Sequence, residues 1–182
     1  MAMQPGTYEL GPQDGKLLVR TGKGGAASKA GHNLLMAVER WGATVQLADD
    51  PAQSVLELNA DSTSFTVLEG TGGIKSLSAE ERDGIAQTIN QEVLKGTPIT
   101  FRSTAVRPDA GNRLHVTGDL ELANGVNLVA FDLELSDDGR VTGSATVTQT
   151  EWGMKPYSAL FGTLKVSDDV SIEIDARLQP AG

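Results

Sequence analysis

The chain has no cysteine, which removes disulfides, thiolate nucleophiles and cysteine metal ligands together. Histidine is almost as scarce, with only His32 and His115. Neither has a second histidine or a carboxylate at metal-ligand spacing, so no metal site and no cofactor is expected. Aromatic residues are limited to four Phe, two Tyr and two Trp, so each is a large share of any core. No apolar run is long enough to span a bilayer, and Met1 to Gly11 lacks a basic start followed by an apolar stretch. Neither stable membrane insertion nor a signal peptide is therefore expected, and the chain reads as cytoplasmic unless a leader has been trimmed from it. A Gly-x-Ser-x-Gly elbow is missing, and no pair of carboxylates suggests an acid and a base working together. Basic residues are outnumbered 15 to 24, giving a net charge of -9. A nucleic-acid partner needs a basic surface to displace counterions, and an anionic membrane favours the same, so both are disfavoured. The acidity itself reads as solubility.

What is present is alternation. With 39% hydrophobic residues, 21 Gly and 7 Pro, the 182 residues suit one turn-rich folded domain over 1–182, without linker or repeat. Leu114, Val116, Leu120 and Leu122 oppose His115, Thr117, Asp119 and Glu121. After the Asn124-Gly125 turn signal the pattern resumes with Val129, Phe131, Leu133 and Leu135 against Asp132 and Glu134. Asp137-Asp138-Gly139 marks the next turn, before Val141, Ala145 and Val147. Val170, Ile172, Ile174, Ala176 and Leu178 form a last apolar row, and Leu56, Leu58 and Ala60 an earlier one. Between Leu34 and Leu47 the apolar phase switches from even positions (Leu34, Met36, Val38) to odd ones (Trp41, Ala43, Val45, Leu47). A bulge near Glu39 or Arg40 accounts for that switch and bends the strand.

One helix interrupts the strands. Ser78-Ala79-Glu80-Glu81 is a capping box, Ile85, Ile89 and Val93 form an apolar stripe, and Lys95, Gly96 and Pro98 end the helix. Roughly eight strands with one apolar face suggest an extended antiparallel barrel of the lipocalin kind, with the helix covering a mouth. A β-sandwich satisfies the same alternation.

The candidate chemistry is sparse. His115 falls on an outward position, whereas His32 stands in Ala30-Gly31-His32-Asn33, where a strand begins. His32 suits a structural hydrogen bond, ligand contact or proton transfer. Gly70-Thr71-Gly72-Gly73-Ile74-Lys75-Ser76 has the wrong spacing for a phosphate loop and reads as a turn. Gly22-Lys23-Gly24-Gly25, with Arg20 and Lys29, makes a small basic island, either a solvated loop or an anion site. The bulky inward candidates are Met36, Trp41, Phe65, Phe101, Phe131, Trp152 and Met154, which either line a cavity or fill the core. Phe101 lies on the strand that alternates least regularly. Two functions follow: a carrier for a long apolar molecule, or an enzyme acting on a small hydrophobic substrate with His32 as acid or base.

Over almost its whole length the chain resembles the YceI-like family of lipocalin-like proteins. The resemblance rests on Gly31-His32-Asn33-Leu34 entering a strand and on the glycine-rich link and helix before Ile99-Thr100-Phe101-Arg102-Ser103. It continues with Val116-Thr117-Gly118-Asp119-Leu120 leading to Gly125-Val126, and with Trp152-Gly153-Met154 ahead of the last strand, from Leu164. It implies an eight-stranded barrel, frequently dimeric, whose apolar tunnel binds polyisoprenoids or other long-chain amphiphiles without established catalysis. Two departures stand out. Asn127-Leu128 replaces the family's Thr-Lys after Gly-Val, and Gln149-Thr150-Glu151-Trp152-Gly153 replaces its Arg-x-x-Phe-Gly. For an isoprenoid phosphate, Arg20, Lys23, Lys29 and His32 are the expected head-group contacts at one mouth.

Overall fold

The computed structural model describes residues 3–24, 32–73, 75–159 and 164–180. Among the described residues, thirteen strands form one sheet. They are β1 (Gly6–Leu10), β2 (Gly15–Gly24), β3 (His32–Val38), β4 (Trp41–Leu47), β5 (Val55–Ala60), β6 (Phe65–Gly72) and β7 (Ile99–Pro108). After them come β8 (Arg113–Leu122), β9 (Gly125–Leu135), β10 (Arg140–Thr148), β11 (Ser158–Ala159), β12 (Leu164–Arg177) and β13 (Gln179–Pro180). Among the described residues the one α-helix, α1 (Ala79–Thr88), continues into a π-helical turn over Ile89–Val93.

Several of these strands are halves of longer, bent ones. The phase switch read in the sequence is the break between β3 and β4 at Glu39 and Arg40. β5 and β6 break at the neighbouring level, and the two corners are bonded together. Ser64 accepts from the Glu39 amide at 3.0 Å through its carbonyl and from the Arg40 amide at 3.1 Å through its hydroxyl. Asp61 donates its amide to the Arg40 carbonyl at 2.9 Å. Two strands that bend at one level without losing these polar groups keep the sheet continuous through the corner.

The pairings then close a ring. β1 pairs with β13 and β4, β4 with β5, β5 with β7, and β7 through β10 pair in sequence. β10 pairs with β12, which runs through Leu178 into β13. All contacts are antiparallel, and the ring holds eight chain passes, as the alternation predicts. The other half of the barrel is narrower: β12 pairs with β2, β2 with β3 and β3 with β6, where the ladder stops. Helix α1 packs along β6 in this split half. It thus occupies a gap in the wall as much as it covers a mouth.

Local chemistry explains the connections. Ala123 and Asn124 have φ of 50° and 64°, so the β8–β9 hairpin is a two-residue turn one position earlier than the Asn124-Gly125 signal suggests. Helix α1 has the capping box in full: Ser78 Oγ accepts from the Glu81 amide at 3.1 Å, and Glu81 Oε2 accepts from the Ser78 amide at 2.8 Å. Lys95 and Gly96, both with positive φ, end it.

Candidate functional site

Inward positions of every barrel strand meet around one cavity of about 720 Å³. Its wall is built by alternation: Leu17 and Val19 from β2, Leu34, Met36 and Val38 from β3, Val129, Phe131 and Leu133 from β9, and Val170, Ile172 and Ile174 from β12. Ile85, Ile89 and Val93 add the helical stripe. Phe101 and Phe131 touch with ring centroids 5.4 Å apart and planes tilted by 57°, an aromatic contact that stiffens the wall.

Five of the seven bulky inward residues line this cavity: Met36, Phe65, Phe101, Phe131 and Met154. Trp41 and Trp152 do not. Both are buried within the packed core, at 7% and 5% exposure, and Trp152 spends its polar edge on the Leu120 carbonyl, 2.8 Å away. Phe101 lies inward although its strand alternates poorly, because the β7–β8 register shifts only later, between Ser103 and Ala105.

Polar groups are few in the wall. Thr21, Thr88, Gln149 and Tyr157 line it alongside His32. Thr21 Oγ1 is buried without a protein partner, whereas Gln149 Nε2 donates to the Ser167 carbonyl at 3.0 Å. His32 Nε2 lies 2.7 Å from the Lys75 carbonyl, which is the structural hydrogen bond that a strand-start histidine suggests. The charged residues lining the cavity, among those described, are Glu57 and Glu81. Each is engaged by a cation, Glu57 by Arg102 and Glu81 by Lys75. The Lys75 ammonium, 2.8 Å away, and the Ser78 amide hold the Glu81 carboxyl down at about 2.

The basic island is not gathered as the sequence suggests. Arg20 is on the outer face of β2, where its Nε donates to Glu173 Oε2 of β12 at 2.9 Å, and it does not line the cavity. Lys29 lies outside the described residues, and for Lys23 only the strand backbone lies within them. Of the four expected head-group contacts, the structure brings His32 to the cavity. His115 is on the outer face as expected, paired through Nδ1 with Asp132 at 2.7 Å.

Among the described residues no helix is long and apolar enough to cross a membrane, and no cluster of three potential metal ligands occurs. The sequence model of the YceI-like domain matches residues 23–178. BcnA of Burkholderia cenocepacia is similar in structure, with a TM-score of 0.66 at 18% identity over 88% of this chain and 94% of that one. A polyisoprenoid-binding domain from Saccharophagus degradans, implicated in plant cell wall breakdown, has a TM-score of 0.59 at 10% identity, covering 98% of this chain and 100% of its own. No curated protein matches the chain.

Proposed function

The chain belongs to the YceI-like domain family, and on that premise we propose that it carries or sequesters one long apolar molecule, a polyisoprenoid or fatty-acid-like amphiphile, inside the barrel. The observation that carries this reading is the cavity itself. It falls within the roughly 300–1,000 Å³ of small-molecule sites, and its wall is made mainly of Leu, Val, Ile, Met and Phe side chains. Each methylene moved from water into such a wall contributes about 0.8 kcal/mol. A chain of ten or so carbons therefore supplies about 8 kcal/mol before the costs of ordering it are subtracted. A mainly apolar wall with few polar groups selects apolar surface more than chemical identity, which suits a carrier. The His32 ring, bonded to a backbone carbonyl, suits structure better than proton transfer, and the fold shared with the Saccharophagus degradans domain agrees with a binding role.

Native mass spectrometry of the purified protein, followed by organic extraction, tests this. The expected result is a co-purified long-chain species at about one per chain, or stoichiometric uptake of an added one. Failure to bind any long-chain alcohol or acid, with uptake of small compact molecules instead, overturns it.

A further inference from the structure

Besides the gap beside β6 that α1 occupies, the ladder of the ring is interrupted between β9 and β10. β9 and β10 pair from Val141 opposite Leu135 to Ser144 opposite Asp132, and there their ladder ends. Beyond it, Ala145–Thr148 pair only with β12, and Gly125–Phe131 only with β8. The ladder between the two strands is thus interrupted over an unbonded window whose long side, the four residues Ala145–Thr148, runs about 13 Å at a strand's usual rise. The Ser144–Asp132 rung closes its top. Its bottom is closed by the turn Gln149–Trp152, which crosses back to β9.

Asn127 holds that bottom edge with both ends of its amide. Nδ2 donates to the Glu151 carbonyl at 3.2 Å, and Oδ1 accepts from the Leu128 amide at 2.8 Å. The hairpin fixes which groups face the window. Leu122 and Gly125 flank the two-residue turn, so the odd residues of β9 bond to β8 and the even ones, Val126, Leu128 and Ala130, aim their backbone groups toward β10. The Leu128 amide, left without a strand partner, is satisfied by Asn127 instead. A bare edge is thereby blunted without being closed.

Both lips are lined from the cavity side, by Val129 and Phe131 on β9 and by Ala145 and Val147 on β10. Ser144, an exposed residue, also borders the cavity, while Val147 is fully buried, so the seam is shut at its middle. On the outside, Val126 and Leu128 are 66% and 58% exposed, two of the four large hydrophobic side chains that the described surface leaves bare. Isolated exposed leucines are ordinary. Two in a row along an unbonded seam over an apolar cavity give a chain-like molecule an apolar path inward once the seam parts.

We propose that this window is the side entrance of the barrel: a long apolar ligand passes between β9 and β10, over Val126 and Leu128 and past Phe131, while Asn127 latches the lower strap. The inference rests on the ligand-binding function proposed above. It gives a physical role to the Asn127-Leu128 pair, at which this chain departs from the family pattern.

The test uses the absence of native cysteine. Had the ladder continued, Ala130 would stand opposite Thr146. An Ala130→Cys/Thr146→Cys variant is bridged with a short bismaleimide, which spans the lips whatever their separation, and complete bridging is confirmed by mass. Uptake of a fluorescent long-chain fatty acid is followed by stopped flow, with monofunctional maleimide on both cysteines as the control. Bridging is expected to slow both uptake and release about tenfold or more while the equilibrium affinity stays within about threefold, since a route alters rates and not end states. Asn127→Ala, which frees the strap, is expected to speed release severalfold. Unchanged rates after complete bridging overturn the entrance and leave the binding function standing. Absence of binding by the unmodified protein overturns the binding function, and the entrance with it.

Discussion

Trp152 donates its indole N–H to the carbonyl of Leu120 across 2.8 Å, so the turn after β10 is fastened to β8, two strands away around the ring. The indole is buried, and it takes up a β8 carbonyl at the end of the barrel. Trp152→Phe keeps most of the apolar volume and removes that bond, while the carbonyl keeps its ladder partner on Asn127. The expected loss is about 0.5–1.5 kcal/mol, the net contribution of one hydrogen bond, read as a lower urea midpoint with unchanged slope. A variant as stable as the wild type places the stabilisation in packing alone.

Phe131 and Glu134 are three residues apart on β9 and face opposite ways. Phe131 lines the cavity against Phe101, and Glu134 meets Arg113 on the outer face at 3.1 Å. Phe131→Asp puts an unpaired carboxylate into an apolar wall, with an expected cost of about 3 kcal/mol or more and loss of long-chain binding. Glu134→Lys removes an exposed ion pair worth about 1 kcal/mol or less. Equal falls in melting temperature contradict the facing of β9.

Gly118, in the middle of β8, has no room for a side chain. A methyl built there lies 2.6 Å from two ring atoms of Phe101 and collides with the Arg102 carbonyl. Gly118→Ala is expected to displace the Phe101 ring and to cost about 1–3 kcal/mol through overpacking. The same displacement reshapes the cavity wall, so ligand affinity falls with stability. Calorimetric melting together with probe titration reports both.

The first turn of α1 carries the pH dependence. The Glu81 carboxyl is held at about 2 in the fold, below the ordinary 4.5 of a free glutamate, by Lys75 and then by the Ser78 amide. A folded value below the unfolded one means that this contribution is complete above about pH 4.5 and is lost as pH falls toward 2. Glu81→Gln is therefore expected to flatten part of the acid limb of a stability-against-pH curve between those values. Ser78→Ala, which removes the other half of the box, is expected to lower stability by about 1 kcal/mol at neutral pH. Acid limbs that superimpose for wild type and Glu81→Gln remove Glu81 from this role.

Much of this was legible before any coordinates, and for a physical reason. Period-two burial is imposed on every strand of a barrel with a dry interior, so the inward rows of β8, β9, β10 and β12 could be read from spacing alone. The corner at Glu39 and Arg40 appeared as a change of phase, and Ser78 and Glu81 sit at the spacing their two hydrogen bonds require. Less could be read where partners come from distant strands. Arg20 stands beside Lys23 in sequence, but alternation turns it outward to Glu173. Trp152 and Trp41 read as wall because bulk and apolarity do not distinguish a lining residue from one packed behind it. The break in the ladder between β9 and β10 leaves no mark in either strand's own pattern, since both keep their alternation past the point where it ends. Its trace is the exposed row Val126 and Leu128, which breaks the rule that outward positions are polar.

The way the ring closes has a consequence for how the protein is made. β1 finds its partner in β13, so Tyr8 stands opposite Pro180, and within this domain the first strand synthesised waits for the last. Every intermediate length of nascent chain therefore exposes an unpaired flank of sheet, and closing so long a loop is slow. Folding of the barrel is complete only once β13 has been made, and during synthesis β1 depends on β4, its nearer neighbour in sequence, to keep one of its two sides occupied.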